Sequence, residues 1–486
     1  MPPTSYKHIL KYTGLFGSVQ VITLLISVVR NKFAALLIGT AGVGLADLFS
    51  RTSEMLSTAT GCGLSLSAVR RLSELHEAGD GKRVARQVRL IRSWLAITAL
   101  LGIIAGIAAA PLLSRLVMHD AAYTVHFMLL SLLAAATTLT GGEMAILKAL
   151  RQMRLLARIT TVGALSTLCI CVACYWLLGL DGVLPSLVLS GAALYLLCLS
   201  ATVRLVPWSI TLRSTRYLKC GLPLLKLGIG FVAAGVLTAL AELIVRTYIS
   251  SSSSIAELGL FAAGCTLTVS YARLVFLAFD ADYYPRLSAV NKDVAACNLT
   301  INRQINICLL LMTPLLLLIM PLLPLLIRLL YSENFLPVAP MVLLALPSMY
   351  FKAIYTPIAY LTLAKGHSTV YFFMEAAYNA FFVVAIAAGY RWGGLIGAGI
   401  GLTVANALDL LNLSVVYGRR YGFRFQQSTA ALSLSHFLLL CLGLWAAYCL
   451  PGVYQWLVPG ASILLSLCFS YFVIRRRLCV FRVDKT

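Results

Sequence analysis

Long apolar segments alternate with short polar breaks along almost the whole chain. A helix that crosses a bilayer needs roughly 20 mostly apolar residues, and about fourteen segments of the sequence meet that requirement. We predict membrane spans 1 to 14 at residues 13–30, 41–69, 93–117, 122–147, 159–180, 183–203, 222–248, 256–284, 304–330, 337–364, 369–390, 394–417, 430–450 and 455–474. The pattern therefore predicts an all-α polytopic membrane protein.

The composition supports the same class. Hydrophobic residues make up 60% of the 486 residues and charged residues 12%, which is too apolar for a soluble fold. Lys and Arg number 39 against 17 Asp and Glu, so the formal net charge is +22. Because this charge is spread over every second loop, as membrane topology alone requires, we expect no nucleic-acid partner.

Basic residues cluster in alternate loops, and cytoplasmic loops are the ones that retain positive charge. The predicted inside clusters are Arg70, Arg71, Lys82, Arg83, Arg86, Arg89 and Arg92 after span 2, Lys148, Arg151, Arg154 and Arg158 after span 4, and Arg475, Arg476 and Arg477 in the tail. The alternate loops are short and nearly uncharged, as in the serine run 250–254. Both termini are therefore predicted to be cytoplasmic.

A faint internal repeat relates spans 1 to 6 to spans 7 to 12. The matching pairs are Val29-Arg30 with Val245-Arg246, Gly44-Leu45 with Gly259-Leu260, and residues 66–69 with residues 287–290. An even number of spans per repeat gives both halves the same orientation. We predict an N-terminal six-helix lobe at 1–205, a C-terminal six-helix lobe at 206–420, and two extra helices with a basic cytoplasmic tail at 421–486.

Nine basic residues cannot be assigned to cytoplasmic loops: Arg30, Lys32, Arg51, Arg115, Arg246, Arg273, Arg328, Lys352 and Arg391. An intramembrane Arg or Lys costs roughly 2.5 to 3.5 kcal/mol on insertion scales and usually faces a bundle interior or an aqueous cavity. Snorkelling explains those near the outer span ends, which are Arg115, Arg328 and Arg391. The predicted substrate-binding residues are Arg30, Arg51, Arg246, Arg273 and Lys352.

Acidic residues lie beside several of these cations. Asp47, Arg51 and Glu54 share one stripe of span 2 by helical spacing, and Glu242 and Arg246 are four residues apart on span 7. The predicted charge-balancing or coupling residues are Asp47, Glu54, Glu242, Asp280 and Glu375. Internal ion pairs that only fix helix packing are the alternative interpretation, and the sequence leaves it open.

Several other kinds of chemistry lack their motifs. No G-x-x-x-x-G-K-[ST] phosphate loop occurs, which argues against a primary ATPase. The thirteen cysteines fall largely within spans, and the C-x-x-C of Cys171 and Cys174 lies in mid-span, where packing explains it. We therefore expect no catalytic residue, no metal and no cofactor.

Several motifs resemble those of Wzx-type O-antigen flippases. They are VRNKFAALLIGTAGVGL at 29–45, ILKALR at 146–151, DYYPRLS at 282–288, RLLYSENF at 328–335 and AKG at 364–366. These flippases belong to the multidrug, oligosaccharidyl-lipid and polysaccharide exporter superfamily, and the resemblance extends over roughly residues 5–420. Drug exporters of the same superfamily share its plan of two helix bundles.

The resemblance implies translocation of an undecaprenyl-diphosphate-linked oligosaccharide across a bacterial inner membrane, by alternating access between two six-helix lobes. Related flippases place arginines on spans 1, 2 and 8, where this chain has Arg30, Arg51 and Arg273. Asn31 stands where cell-wall precursor flippases have an acid, which argues against proton coupling at that position. Membrane lipids and other glycan-assembly membrane proteins are the further partners that the resemblance implies.

Elementary chemistry favours the same substrate. A diphosphate carries about two negative charges, which guanidinium groups bind through bidentate, charge-assisted hydrogen bonds. An exporter of organic cations would favour acids and aromatics instead. An ion-coupled multidrug antiporter of the same fold is the first alternative, and a membrane-embedded glycan polymerase or ligase is the second. The absence of a long outer loop with paired acids argues against an enzyme.

Overall fold

The computed structural model describes residues 4–118, 120–211, 222–270, 276, 283–450 and 457–468. These residues form helices joined by turns, and no β-strand occurs among them. Two of the predicted site residues, Arg273 and Asp280, lie outside the described residues. The predicted all-α fold is confirmed.

The helices follow one another with short connections. In chain order they are α1 (Thr4–Leu37), α2 (Gly39–Gly61), α3 (Leu64–Glu77), α4 (Gly81–Leu113), α5 (Thr124–Ala149), α6 (Met153–Leu178), α7 (Val183–Val203), α8 (Leu222–Ser252), α9 (Ile255–Cys265), α10 (Val294–Leu330), α11 (Ala339–Ala364), α12 (Ser368–Tyr421), α13 (Gln427–Cys449) and α14 (Leu457–Cys468). Single π or 3-10 turns lie at Ser114–Met118, Ala121–Tyr123, Gly179–Gly182, Thr266–Ser270 and Glu333–Val338.

Length and hydropathy show how many of these helices cross the membrane. Within the described residues, nine segments are long and apolar enough to do so. Met153–Val203 and Ser368–Tyr421 contain 51 and 54 residues, so each is long enough for two crossings at roughly 20 residues per crossing. Counting each of these two segments twice, and adding the charged α2 and the shorter apolar helices α9 and α14, gives the predicted number of spans. The chain is a multi-pass membrane protein with about fourteen transmembrane helices.

The described chain divides into two compact units. Unit 1 comprises Met1–Gly259 and Leu330–Ser332, and unit 2 comprises Leu260–Leu329 and Glu333–Thr486. Unit 1 therefore contains α1 to α8 and the first part of α9. Unit 2 contains the rest of α9, almost all of α10, and α11 to α14.

The second predicted span is shorter than the apolar sequence indicates. Helix α2 ends at Gly61, because Cys62 and Gly63 both adopt left-handed backbone conformations with φ of 47° and 64°. Such residues end a right-handed helix. The apolar residues that follow, Leu64 and Leu72, belong to α3 and are buried in a core shared with α4 and α5. The apolar sequence is continuous, so the prediction merged α2 and the start of α3 into one span, whereas the backbone conformation at Cys62 and Gly63 separates them.

Helix α12 is a hairpin of two helical segments, as the sequence predicted for spans 11 and 12. Gly393 and Gly394 interrupt it, and Gly394 has φ of 55° and ψ of −138°, which favours glycine. A Cβ atom on Gly397 would collide with the carbonyl oxygen of Gly389. The close approach of the two segments therefore depends on the absence of a side chain at Gly389 and Gly397.

A second close approach joins α2 to α9 within unit 1. A Cβ atom on Gly44 would collide with the carbonyl oxygen of Ile255, and one on Gly259 would collide with the carbonyl oxygen of Thr40. Gly44 and Gly259 are one of the matching pairs of the internal repeat. Two equivalent positions of that repeat therefore pack directly against each other, backbone to backbone.

Replacing Gly259 by alanine is expected to destabilise the protein by about 1 to 3 kcal/mol, because the new methyl group meets backbone that cannot rotate away. Thermal unfolding of the purified protein in detergent measures the effect. Gly460→Ala is the matched control, since a Cβ atom there meets no described atom within 4 Å. Equal unfolding temperatures for the two variants would contradict the packing of α2 against α9.

A buried ion pair fixes the chain segment that follows α7. Arg92 donates from Nε and Nη2 to the two carboxylate oxygens of Glu143, at 2.9 and 3.0 Å, and both side chains are buried. Its Nη1 atom donates to the carbonyl oxygens of Val206 and Pro207, at 3.1 and 3.2 Å. The guanidinium also lies 5.1 Å from the ring centre of Trp208. The charge count placed Arg92 in a loop, whereas the structure places it inside α4.

Candidate functional site

Five charged side chains of α2 and α8 form one ion-pair network in unit 1. Arg246 Nε lies 2.5 Å from Asp47 Oδ2, and Arg246 Nη1 lies 3.5 Å from Glu242 Oε2. Arg51 Nη1 lies 2.7 Å from Glu242 Oε2 and 2.9 Å from Glu54 Oε2. Arg51 Nε lies 3.5 Å from Asp47 Oδ1. Asp47 and Glu242 therefore each contact both guanidinium groups.

Helical spacing and helix packing together build this network. Asp47, Arg51 and Glu54 line one stripe of α2, and Glu242 and Arg246 are one turn apart on α8. Because α2 packs against α8, the two stripes face each other. Opposite charges attract one another more strongly where they are shielded from water, as the Arg246 guanidinium is. The network holds three carboxylates and two guanidiniums, so its formal charge is −1.

The two guanidinium groups differ in how much solvent reaches them. The side chain of Arg246 is 4% exposed, and its Nη1 atom also donates to the backbone carbonyl of Glu242 at 3.1 Å. The side chain of Arg51 is 31% exposed, and that of its partner Glu54 is 58% exposed. Arg246 is therefore held in place by buried contacts. Arg51 is the more exposed of the two guanidinium groups.

The other predicted site residues lie elsewhere. Arg30 on α1 is partly exposed, and its Nη2 atom lies 3.4 Å from Asn31 Oδ1. It also interacts electrostatically with Tyr175 of α6, which packs against α1. Lys352 and Glu375 belong to a separate charged cluster in unit 2. A cavity shared by all the predicted arginines therefore remains a prediction.

Sequence reasoning overlooked Glu143, which is the only acid in predicted span 4. An acid inside the membrane is costly unless it is paired, so its position in an apolar segment was a usable signal. Its partner Arg92 could not be identified in the same way, because it follows a run of basic residues. The Glu143 carboxylate also accepts a hydrogen bond from the Thr202 hydroxyl. This site is fully satisfied and has no exposed face, so its role is structural.

The fold is that of polytopic transporters. The lipid II flippase MurJ, in an inward closed conformation, matches with a TM-score of 0.69 and 12% sequence identity, over 97% of this chain and 100% of that one. An inward-facing multidrug resistance MATE family transporter of the MOP superfamily gives 0.64 and 15%, over 86% and 96%. A MOP superfamily transporter from Pyrococcus furiosus, described as having a binding pocket of reverse polarity, gives 0.58 and 16%, over 86% and 94%. At these identities the likeness shows the fold alone.

The sequence itself shows the family. Residues 80–340, more than half of the 486 residues, match the family model described as polysaccharide biosynthesis protein. The chain therefore belongs to the polysaccharide biosynthesis protein family. No curated protein matches the sequence. The resemblance that the motifs indicated is confirmed at the level of family and fold.

Proposed function

We propose that the protein is a flippase that moves an undecaprenyl-diphosphate-linked oligosaccharide, an O-antigen-like repeat unit, from the cytoplasmic to the outer leaflet of a bacterial inner membrane. Alternating access exposes the site to each side in turn. The observation that carries the proposal is the partly exposed guanidinium of Arg51, held by carboxylates within an apolar helix bundle. The family supports a lipid-linked sugar as the substrate. The activity is transport, so no covalent bond forms or breaks.

Arg51 binds the diphosphate by exchanging its partners. In the substrate-free network its Nη1 atom contacts Glu54 and Glu242. The Glu54 side chain is mostly exposed, so it can rotate into solvent and leave its position to a phosphate oxygen. The remaining two carboxylates and two guanidiniums are then formally neutral and do not repel the anion. Planar guanidinium groups bind phosphate oxygens in bidentate geometry, which a lysine cannot reproduce.

A second function is favoured by the charge of the same network. Three carboxylates outnumber two guanidiniums, and a net negative site inside a membrane suits an organic cation. The fold is also shared with MATE family transporters. An ion-coupled multidrug antiporter is therefore the competing proposal. The family favours the flippase, because its description concerns polysaccharide biosynthesis.

The test is a headgroup-accessibility assay with the purified protein in proteoliposomes that contain undecaprenyl-diphosphate-linked oligosaccharide. An impermeant reagent that modifies the sugar reaches only the outer leaflet. We expect wild-type protein to make the inner-leaflet pool accessible, while protein-free vesicles leave that pool protected. Efflux of a fluorescent organic cation, driven by a proton or sodium gradient, is measured in the same preparation. Cation efflux without headgroup translocation would replace the flippase proposal with the antiporter.

A further inference from the structure

A second group of charged side chains lies inside unit 2. Lys352 is on α11, Glu375 is on the first segment of α12, and Asp409 is on the second segment. The helices that carry them pack against one another, and the ring of Tyr355 on α11 lies 6.4 Å from the ring of Tyr378 on α12. Asp409 is twelve residues from Tyr421, the last residue of α12, which corresponds to about 18 Å along the helix axis. The group therefore lies within the depth of the hydrocarbon core.

Asp409 is the unusual member of this group. The residue is 4% exposed, so its carboxylate is shielded from the surface of unit 2. The Tyr355 hydroxyl donates to Asn406 Oδ1 at 3.1 Å, which places the part of α11 that follows Lys352 beside the part of α12 that precedes Asp409. Burial disfavours the ionised form of a carboxylate, and such a group becomes neutral by binding a proton.

The charged and titratable groups around Asp409 come from each element packed against it. They are Lys352 and Tyr355 on α11, Tyr371, Glu375 and Tyr378 on the first segment of α12, and Tyr417 on its own segment, and Tyr371 is hydrogen-bonded to Glu375. Two carboxylates and one ammonium give a formal charge of −1, so a single proton makes the group neutral. A metal cation would remain a separate positive charge and would be repelled by the Lys352 ammonium. A bound proton instead becomes part of a neutral carboxyl group. Glu375 is partly exposed, whereas Asp409 is buried.

We propose that Asp409 and Glu375 together bind one exchangeable proton beside Lys352, and that this group is a proton-binding site of unit 2. The proton is held as a carboxylic acid when the site is closed and is released through Glu375 when solvent enters. The role of this proton as the coupling ion of transport rests on the proposed function. The binding of a proton at Asp409 does not depend on that function.

Difference infrared spectroscopy of the purified protein in lipid nanodiscs tests the site during a pH titration. The carbonyl stretching band of a protonated carboxylic acid is expected in the wild type at neutral pH and is expected to be lost in Asp409→Asn. Glu333→Gln, which changes an exposed carboxylate, is the matched control and should keep the band. In Lys352→Met the band should persist to more alkaline pH, because the cation that favours the ionised form is gone. Arg328→Met is the control for that change and should titrate like the wild type.

Two outcomes would overturn the proposal. One is a wild type without the band at neutral pH, and the other is a band that survives in both Asp409→Asn and Glu375→Gln. Glu375→Gln keeps the test decisive if Asp409→Asn does not fold, since Glu375 is partly exposed. A band that behaves as expected in a protein that does not translocate the lipid-linked sugar would support the proton site and remove the proposed function.

Discussion

Replacing Arg51 by alanine is expected to reduce translocation of the lipid-linked oligosaccharide by about 10- to 100-fold, while the protein level in the membrane stays near normal. One hydrogen bond to a charged group contributes roughly 1.5 to 3 kcal/mol, and each 1.4 kcal/mol corresponds to a factor of ten. The protein should still fold, because Arg51 is partly exposed and Glu54 can turn to solvent. Headgroup accessibility and protein abundance are measured in parallel.

Conservative and neighbouring variants separate phosphate binding from structural pairing. Arg51→Lys should recover part of the activity if charge attraction dominates, and little if bidentate geometry does. Arg246→Ala should instead lower the protein level, because it leaves Asp47 as a partly buried acid without its main partner. Adding Asp47→Ala to that variant should restore the level. A well-expressed Arg51→Ala protein with full activity would rule out the phosphate role.

Removal of either member of the Arg92 and Glu143 pair is expected to destabilise unit 1 by about 3 to 5 kcal/mol, which is the usual cost of leaving one buried charge without its partner. Arg92→Ala also frees the carbonyl oxygens of Val206 and Pro207, which lose their shared donor. The protein level and the thermal unfolding of each variant in detergent are the measurements. Both should fall together.

The matched control is Arg89→Ala, on the same helix. Arg89 is exposed and donates one hydrogen bond to the Ser209 hydroxyl at 3.0 Å, so its loss should cost less than about 1 kcal/mol. The double variant Arg92→Met with Glu143→Leu should recover much of the stability, because apolar side chains of similar size can replace a buried pair. An Arg92→Ala protein as stable as Arg89→Ala would show that the pair does not hold the segment after α7.

The sequence predicted most of the helices, because hydropathy over some 20 residues is a local property. The hairpin of α12 and the separation of α6 from α7 were both recognised in this way. The prediction from hydropathy failed at Cys62 and Gly63, where two left-handed residues end α2 although the apolar sequence continues into α3. Gly61 and Gly63 were the local signal for this break, since glycine commonly ends a helix in the left-handed conformation, and a hydropathy window averages over them. The apolar residues after it pack in the core that α3 shares with α4 and α5.

For the candidate site, the sequence by itself determined the pairings within one helix. The spacing of Asp47, Arg51 and Glu54, and that of Glu242 and Arg246, follows from 3.6 residues per turn and needs no tertiary information. Only the tertiary structure decided that the two stripes meet, since Arg246 and Asp47 are 199 residues apart. It likewise decided that Arg92 pairs with Glu143 inside unit 1. The physical reason is that a partner on another helix depends on how both helices rotate and pack, and that arrangement is fixed by the whole core.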